Sequence, residues 1–331
     1  MKVFVTGADG FIGSHTVEAL VRRGHEVTAL VQYNSLNSVG WLAEVASDLI
    51  AETRVIHGDI RDPGFAIDAL AGHEAVIHLA ALIAIPYSYV APTSYLQTNV
   101  LGTANILEGA KRNGLRRVIH TSTSEVYGSA QFVPIDEKHP LVGQSPYSAS
   151  KIGADQIAHS YWSSFGTPVV TLRPFNAYGP RQSQRAFIPS VMIQHLGQQD
   201  SLRVGSLSPT RDLTYVDDTA RGFVLAVESD AGLGEVFNMG SGFEISMRDL
   251  LEEIAAITGQ HLEVSVDDSR IRPERSEVER LWSDCGKIFE RFSWAPEAAG
   301  LPGLRAGLAK TYEWLSKNHT REGYDPSGYV R

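Results

Sequence analysis

The sequence predicts an α/β protein in which a doubly wound parallel sheet is followed by a smaller α/β domain. Short β-branched runs alternate with longer amphipathic stretches through the first half of the chain, as in KVFVTG, then SHTVEALVRRG, then EVTALV. This alternation is typical of a parallel sheet covered by helices on both faces. It continues through AVIHLAA, TANILEGAKRNG, RRVIHTST, ADQIAHSYWSSFG and PVVTLRP.

The alternation ends at about residue 177, where the loop-rich stretch AYGPRQSQRAFIP begins. Its proline, glycine and arginine content favours a surface that meets a ligand. ISMRDLLEEIAAITG has apolar residues at helical spacing with Gly259 just past its end, and LRAGLAKTYEWLSKN is expected to form the final helix. We therefore divide the chain into a sheet domain, residues 1–175, and a mainly substrate-binding domain, residues 176–331, part of which crosses back.

Composition narrows the possible functions. Of the 331 residues, 43% are hydrophobic and 20% charged, and the formal net charge of −9 offers no basic face for nucleic acid. The single Cys285 can form no internal disulfide, and no Cys or His cluster has metal-ligand spacing. No signal-like segment is evident and no run approaches the ~20 apolar residues of a membrane span. We therefore expect a cytosolic protein with metal-free chemistry and no membrane partner.

The first predicted strand runs into VTGADGFIGSH, which places three glycines between a strand and a helix. Glycines at this spacing permit a tight turn, close backbone approach to a pyrophosphate and close helix packing. A glycine-rich turn without a ligand is the alternative, but the strand-turn-helix context favours a Rossmann-type dinucleotide site. The predicted cofactor contacts, besides Tyr147 and Lys151 introduced below, are Gly7, Gly10, Phe11, Ile12, Gln32, Asp59, Ile60, Leu79, Ala80 and Ala81, with Gly13 as the third glycine.

The end of the second predicted strand bears on the choice between NAD and NADP. An acidic residue there usually holds the adenosine ribose hydroxyls, but this strand ends in Val31, Gln32 and Tyr33. NAD is predicted because no cation that would grip a 2′-phosphate is evident nearby, and NADP stays open. Asp59 in HGDIRD is predicted to accept a hydrogen bond from the adenine amino group, with a solvated loop residue as the alternative.

Two further motifs indicate catalysis. YSASK places Tyr147 and Lys151 one helical turn apart, so both side chains can face one ligand. A lysine ammonium beside a phenol is expected to lower the phenol pKa and make Tyr147 a base for a substrate hydroxyl. TSTSEVYG sets Thr123 and Ser124 beside the carboxylate of Glu125. Each motif is weak evidence alone, and their combination with the glycine motif is strong.

With these motifs, the sequence resembles the extended short-chain dehydrogenase/reductase family, in particular its nucleotide-sugar epimerases and dehydratases. The resemblance covers almost the whole chain, through TGADGFIGSH, HLAA, TNVLGT, TSTSEVYG, YSASK, RPFNAYGPRQ, RDLTYVDD and RPERSEVERLWSD. It implies a triad in which Thr123 hydrogen-bonds the sugar 4-hydroxyl, Tyr147 removes its proton and Lys151 holds the nicotinamide ribose.

The resemblance also assigns residues to the substrate. It implies that Asn176, Arg211 and Arg272 hold the nucleotide diphosphate, with a capping amide and surface arginines as the alternative. Asn99 matches an asparagine that is more often structural than substrate-binding. Arg181 is a further predicted substrate contact, because it is available, like Arg185, to meet a sugar carboxylate.

Glu125 decides between the reactions of the family. Simple 4-epimerases need no carboxylate here, whereas 4,6-dehydratases use one to remove the C5 proton after C4 is oxidised, while water leaves C6. Ser124 departs from the Thr-Asp-Glu of dTDP-glucose dehydratases, and Thr-Ser-Glu is similar to GDP-mannose 4,6-dehydratases and UDP-glucuronate decarboxylases. A glutamate that caps the following turn is the structural alternative.

The wider context most resembles dehydratases of the legionaminic acid pathway, which act on nucleotide-linked N-acetylglucosamine. The implied reaction gives a 4-keto-6-deoxy sugar with NAD recycled, and a UDP-glucuronate decarboxylase or a 4-epimerase remains an alternative. A non-catalytic NAD(P)-binding regulator is disfavoured because Tyr147 and Lys151 are both present. The resemblance also implies a homodimer through a helix bundle, with Tyr161, Trp162 and Phe165 as interface or core residues.

Overall fold

A seven-stranded parallel sheet organises the computed structural model, which describes residues 1–320 together with residues 324 and 325. In chain order the strands are β1 (Lys2–Thr6), β2 (Glu26–Gln32), β3 (Thr53–Gly58), β4 (Ala75–His78), β5 (Arg117–Thr121), β6 (Val169–Pro174), β7 (Asn176–Tyr178), β8 (Ser201–Val204), β9 (Thr210–Tyr215), β10 (Val236–Met239), β11 (Glu244–Ser246) and β12 (Glu263–Val266). The main sheet has the order β10-β6-β5-β4-β1-β2-β3. The strand order reverses between β1 and β4, where doubly wound sheets bind ligands.

The α-helices in chain order are α1 (Phe11–Arg22), α2 (Ser47–Ala51), α3 (Pro63–Ala69), α4 (Ile85–Val90), α5 (Pro92–Tyr95), α6 (Gly102–Arg112), α7 (Pro146–Phe165), α8 (Phe187–Leu196), α9 (Val216–Glu228), α10 (Met247–Thr258), α11 (Gly286–Phe292) and α12 (Gly300–Asn318). A π-helical turn, Leu96–Leu101, leads into α6, and short 3-10 turns cover Gly40–Glu44, Ser124–Tyr127, Asp268–Arg270 and Glu274–Ser276. Gly259, in the left-handed region at φ +71°, ends α10 at the predicted position.

Both faces of the main sheet are covered by helices. Val3 and Val5 of β1 lie in one core with α1 and α9, whereas Phe4 between them lies in a second core with α3, α6 and α7. Adjacent residues of a strand point to opposite faces, so these hydrophobic strands are buried on both sides. The predicted α/β Rossmann-type fold is confirmed.

The second half of the chain contributes to the main sheet and also builds a core of its own. β10 pairs with β6, with Phe237 opposite Leu172, and α9 packs against α1. The remaining elements form a three-stranded sheet (β11-β9-β7) and a two-stranded parallel sheet (β12-β8), packed around α8, α10 and α12.

Within the described part of the chain, none of the helices has both the length and the apolar character that crossing a membrane would require. The same residues bring together no group of three or more His, Cys, Asp or Glu side chains that could hold a metal ion.

Candidate active site

The loop after β1 is shaped by glycines that leave no room for a side chain. Gly7 has a φ of +65°, and a Cβ on it would lie 2.7 Å from the backbone nitrogen of Ala80. A Cβ on Gly13 would lie 2.0 Å from the carbonyl oxygen of Gly7, so α1 packs this close to the loop only because glycine stands there.

The first turn of α1 offers backbone donors to an anion. Its N-cap, Gly10, supplies no side-chain acceptor, and the first turn contains no acidic residue. The N–H groups of Phe11 and Ile12 have no partner inside an α-helix, and they lie at the positive end of the helix dipole. This end of α1 therefore fits the pyrophosphate of a dinucleotide.

The segment after β4 lies against the glycine loop and is held by Thr6. The Thr6 Oγ1 accepts hydrogen bonds from the backbone N–H groups of Leu79 (3.1 Å) and Ala80 (3.0 Å). His78 Nδ1 lies 2.8 Å from the same oxygen. Leu79 and Ala80 therefore border the glycine loop, and Ala81 follows them.

Asn99 fixes the chain between this segment and the catalytic motif. Its Oδ1 accepts from Leu82 N (2.9 Å), and its Nδ2 donates to Leu82 O and to Ser150 Oγ, both at 2.9 Å. Ser150 belongs to α7. Asn99 is thus a buried structural clamp that sets the distance between the segment after β4 and α7.

The ends of β2 and β3 hold three predicted cofactor contacts in different environments. Gln32 is exposed at the end of β2. Both carboxylate oxygens of Asp59 accept hydrogen bonds from Arg61, which holds the pKa of that carboxyl below its usual value. Ile60 is buried, and a Cβ on Gly102 would lie 2.6 Å from the Ile60 Cδ1. Ile60 therefore packs against the first residue of α6. Adenine binding by Asp59 stays a prediction.

Helix α7 carries the catalytic motif at its N-terminus. Ser145 and Ser148 form a capping box, and Pro146 occupies the first helical position, so the helix begins sharply at this residue. Tyr147, Lys151 and, one turn further, Asp155 follow at intervals of four residues, and all three side chains are buried.

The pKa values of Tyr147 and Lys151 in the protein chain differ from the sequence-based expectation. Burial raises the pKa of Tyr147, opposed by a hydrogen bond between its hydroxyl and the Thr123 side chain, so the net direction is opposite to the predicted lowering. Burial also lowers the pKa of Lys151 to about 8. The Lys151 ammonium donates to Thr121 O at 2.6 Å. In the protein chain by itself, Lys151 thus anchors the end of β5 and does not offset the effect of burial on Tyr147.

Asp155 joins α7 to the ends of two strands. It accepts hydrogen bonds from Arg173 Nη2 (2.9 Å) and Ser122 Oγ (2.8 Å), and His120 Nε2 lies 3.0 Å from its other oxygen. Burial alone would raise the pKa of this carboxyl, but His120 and Arg173 hold it below its usual value. Arg173 Nη1 also donates to the Tyr127 hydroxyl at 2.9 Å, which connects Asp155 to the turn that carries Glu125.

The turn Ser124–Tyr127 places Glu125 beside Tyr147. Thr123 caps it, because its Oγ1 accepts from the Glu125 backbone N–H at 3.2 Å. Ser124 is buried beneath the turn, and the charge of Glu125 contributes to raising the pKa of Tyr147. The Glu125 carboxylate faces Arg272, whose Nη1 lies 3.9 Å away. The Glu125 side chain is therefore directed toward an arginine of the second half of the chain, whereas a turn cap would bond the backbone of its own turn.

Two arginines from the second half of the chain meet near this carboxylate. Arg211 Nη2 is 3.3 Å and Arg272 Nη1 is 3.7 Å from the same oxygen of Glu277. Asn176, at the start of β7, has a buried Oδ1 without a hydrogen-bond partner in the described structure. The two guanidinium groups therefore place positive charge beside Glu125 and Glu277, and Asn176 keeps an acceptor that a ligand could satisfy.

Arg181 does not join this group. Its φ is +68°, and its guanidinium pairs with Glu18 of α1 at 3.0 Å and donates to Glu44 O at 3.3 Å. This pairing balances the charge of Arg181 against α1 and argues against a substrate contact, which stays an untested prediction. Arg185 is exposed, and it lies near enough to Tyr95 to oppose the rise of the pKa of that tyrosine to about 12 caused by burial.

Two residues of the site were not predicted from the sequence. Asp155 has a local signal, since it follows Lys151 by four residues in YSASKIGAD. Glu277 has none, because its partner Arg211 lies 66 residues earlier in the chain.

Known proteins resemble this chain over almost its whole length. The profile of the family described as GDP-mannose 4,6 dehydratase matches residues 4–305. The dTDP-glucose 4,6-dehydratase of an Actinoplanes species is 34% identical over 331 residues, covering 97% of this chain and 99% of that protein.

Two solved structures share the fold of the whole chain. The dTDP-glucose 4,6-dehydratase DesIV of Streptomyces venezuelae, a double mutant with NAD bound, has a TM-score of 0.84 at 32% identity and covers 96% of this chain and 98% of its own. The UDP-glucuronic acid 4-epimerase of Bacillus cereus, in complex with UDP-glucuronic acid and NAD, has a TM-score of 0.85 at 29% identity, with coverages of 96% and 99%.

Proposed function

Because this chain belongs to the GDP-mannose 4,6 dehydratase family of NAD-dependent nucleotide-sugar dehydratases and epimerases, we propose that it is a 4,6-dehydratase of an NDP-hexose. The proposed substrate is an NDP-N-acetylglucosamine, and the product is its 4-keto-6-deoxy derivative. The observation that carries the proposal is the position of Glu125, a buried carboxylate between Tyr147 and Arg272.

The residues of the chain divide the proton transfers between them. Bound NAD supplies the hydride acceptor for C4 and the hydride that ends at C6. Tyr147 takes the proton of the C4 hydroxyl, which Thr123 orients by a hydrogen bond. Oxidation makes the C5 proton acidic, and Glu125 removes it and then gives a proton to the departing C6 hydroxyl, which leaves as water. Protonation of C5 consumes one proton and deprotonation of Tyr147 back to its starting state releases one, so the sum is the loss of one water with NAD unchanged.

Arg211, Arg272 and Asn176 are proposed to hold the nucleotide diphosphate. The two guanidinium groups share Glu277 and would offer their charge and N–H donors to the phosphates, and Asn176 would donate through its Nδ2. Arg272 also faces Glu125, so a diphosphate bound there would draw its charge away from the carboxylate. Substrate binding would in this way release Glu125 for the C5 proton.

A UDP-glucuronate decarboxylase is the second candidate, and Arg185 is the observation that favours it. An arginine near the sugar would be needed to hold the carboxylate, and the side chain of Arg185 is exposed near Tyr95. Tyr95 itself packs edge-on against Tyr147, with ring centroids 6.3 Å apart. A 4-epimerase is the third candidate and would leave Glu125 without a chemical step.

Mass spectrometry of the products separates these candidates. The protein is incubated with UDP-, GDP- and dTDP-linked hexoses, N-acetylhexosamines and glucuronic acid. Loss of one water from an N-acetylglucosamine nucleotide is expected. The nucleotide that reacts also identifies the nucleobase that the protein prefers. Loss of carbon dioxide from the glucuronate would establish the decarboxylase, and a change of configuration at constant mass, seen by NMR, would establish an epimerase.

The Glu125→Gln variant tests the role of the carboxylate. It should still reduce NAD when substrate is added, because Tyr147 and Thr123 are intact, and it should fail to release the dehydrated sugar. Tyr147→Phe is the matched control and should lose reduction of NAD as well. Normal yield of dehydrated product from Glu125→Gln would overturn the assignment.

The protein is further proposed to form a homodimer through the helices around the site. Val90, Leu96 and Leu101 are exposed apolar residues of α4 and the π-helical turn, and Phe165 at the end of α7 is 57% exposed. Trp162 packs internally, since a Cβ on Gly234 would lie 2.0 Å from its Nε1. Light scattering should give twice the mass of one chain. A cytosolic location stays a prediction.

A further inference from the structure

The end of β2 lacks an acidic side chain, but a carboxylate from another segment lies there. The backbone N–H of Ala8 donates to Leu30 O at 3.1 Å, so Leu30 and, two residues on, Gln32 direct their backbone polar groups toward the β1 side. β1 has already ended at this level, and Asp9 follows Ala8 directly, so its carboxylate lies close enough to the Gln32 backbone N–H to be stabilised by it. Asp9 therefore reaches the position from which the usual acid at the end of this strand would act.

Asp9 is held in this position from two sides. The backbone N–H of Trp41 donates to Asp9 O at 3.0 Å. A Cβ on Gly40, whose φ is +56°, would lie 2.8 Å from Asp9 Cβ, so the turn Gly40–Glu44 crosses directly over the aspartate. His57 pairs with Val31 at the end of β3 and lies on this side of the sheet. Burial raises the pKa of the Asp9 carboxyl, and the backbone donors and His57 oppose part of this rise.

We propose that Asp9 sets the preference of this protein for NAD over NADP. In a doubly wound sheet the adenosine ribose lies at the end of β2, beside the glycine loop that contains Asp9. A carboxylate there accepts a hydrogen bond from the 2′-hydroxyl of NAD and repels the 2′-phosphate of NADP. Arg61, at the neighbouring end of β3, is engaged by both oxygens of Asp59 and does not offset this repulsion. The inference rests on the NAD dependence of the family and is independent of the sugar substrate.

Equilibrium binding of NADH and NADPH, followed by nicotinamide fluorescence, tests this assignment without any sugar present. The wild-type protein should bind NADH more tightly, by about tenfold or more, since a like-charge contact opposes NADPH. Asp9→Asn keeps an oxygen to accept the Gln32 N–H and removes the charge. It should bring the two affinities to within about threefold of each other, mainly by tightening NADPH.

Asp48→Asn is the charge-matched control, because it removes one negative charge from an exposed position in the first turn of α2, between β2 and β3. It leaves the pairing of Asp59 with Arg61 intact, so we expect the ratio of NADH to NADPH affinity to stay unchanged. Asp9→Ser provides a second, smaller variant, and circular dichroism establishes that each variant is folded.

The assignment is overturned if folded Asp9→Asn and Asp9→Ser keep the wild-type ratio, or if both nucleotides weaken equally. It is also overturned if the wild-type protein binds NADPH as tightly as NADH. None of these results depends on whether the protein dehydrates, decarboxylates or epimerises a sugar. Failure of the sugar assignment would conversely leave the binding ratio intact.

Discussion

Asp155 lies one helical turn beyond Lys151 on the buried face of α7, and the two side chains are electrostatically coupled. Burial lowers the pKa of Lys151 to about 8, and the carboxylate of Asp155 opposes this effect. The same carboxylate also contacts the guanidinium of Arg173 and the imidazole of His120. The protonation state of Lys151 at neutral pH therefore depends on a residue outside the YSASK motif.

Asp155→Asn should move the alkaline limit of activity to lower pH. Without the carboxylate, the effect of burial on the ammonium of Lys151 is no longer opposed, so its pKa falls below about 8. The pH profile of kcat/KM for nucleotide-sugar turnover measures this shift. Ser122→Ala removes one hydrogen bond to Asp155 and keeps the charge, so its alkaline limb should match the wild type. An unshifted limb in folded Asp155→Asn would rule out this coupling.

Acid should destabilise the protein through two buried histidines. Burial holds the pKa of His78 well below, and that of His120 below, the ordinary value of 6.5. Below about pH 6.5 the unfolded chain binds protons that the folded chain excludes, so stability is retained above this pH and lost as pH falls. The slope is up to about 1.4 kcal/mol per pH unit for each histidine.

Urea unfolding at about pH 7.5 and about pH 5.5 measures this loss of stability. His120→Gln removes one of the titrating groups and should reduce the difference between the two conditions. His159→Gln, on an exposed position of α7, should leave it unchanged. Equal free energies of unfolding at both values would show that the two imidazoles do not control acid stability.

Arg272→Gln should weaken nucleotide-sugar binding without affecting the dinucleotide. Loss of a charge-assisted hydrogen bond to a phosphate corresponds to roughly 10- to 100-fold in affinity. Calorimetric titration with the nucleoside diphosphate and with NADH separates the two sites. Arg275→Gln, an exposed neighbour in the turn Glu274–Ser276, is the matched control. Equal loss in both arginine variants would point to a general charge effect and away from a diphosphate contact.

Arg181→Gln should affect folding and spare substrate binding. Its buried pair with Glu18 is broken, and we expect the free energy of unfolding to fall by about 1–3 kcal/mol. Arg22→Gln removes a more exposed partner of the same glutamate and should cost less than about 0.5 kcal/mol. Denaturant unfolding gives both values, and KM for the nucleotide sugar should stay at the wild-type level. A large rise in KM for Arg181→Gln would return this arginine to the substrate site.

Local motifs predicted the fold, and they bring Tyr147 and Lys151 onto one buried face of α7, because their residues act within a few positions of one another. The glycine loop needs only a strand, a turn and a helix start, and Tyr147 and Lys151 need only one helical turn. The grouping of Arg272, Glu277 and Glu125 depends on how the two halves of the chain pack, and no spacing records it. The pairing of Arg181 with Glu18 could not be foreseen for the same reason, since a motif does not show which side of its loop an arginine faces.

The return of β10 and α9 to the first domain has a consequence for synthesis of the protein. A nascent chain that has left the ribosome only through residue 175 carries β6 as an open sheet edge, because its partner β10 is not yet made. The apolar side chains of α1 and β1 that pack against α9 and its Phe223 also stay uncovered until α9 is made. Such an intermediate exposes a template for pairing with other chains. Chaperone occupancy during translation should therefore be greatest before residue 239 emerges and should fall once the sheet is closed.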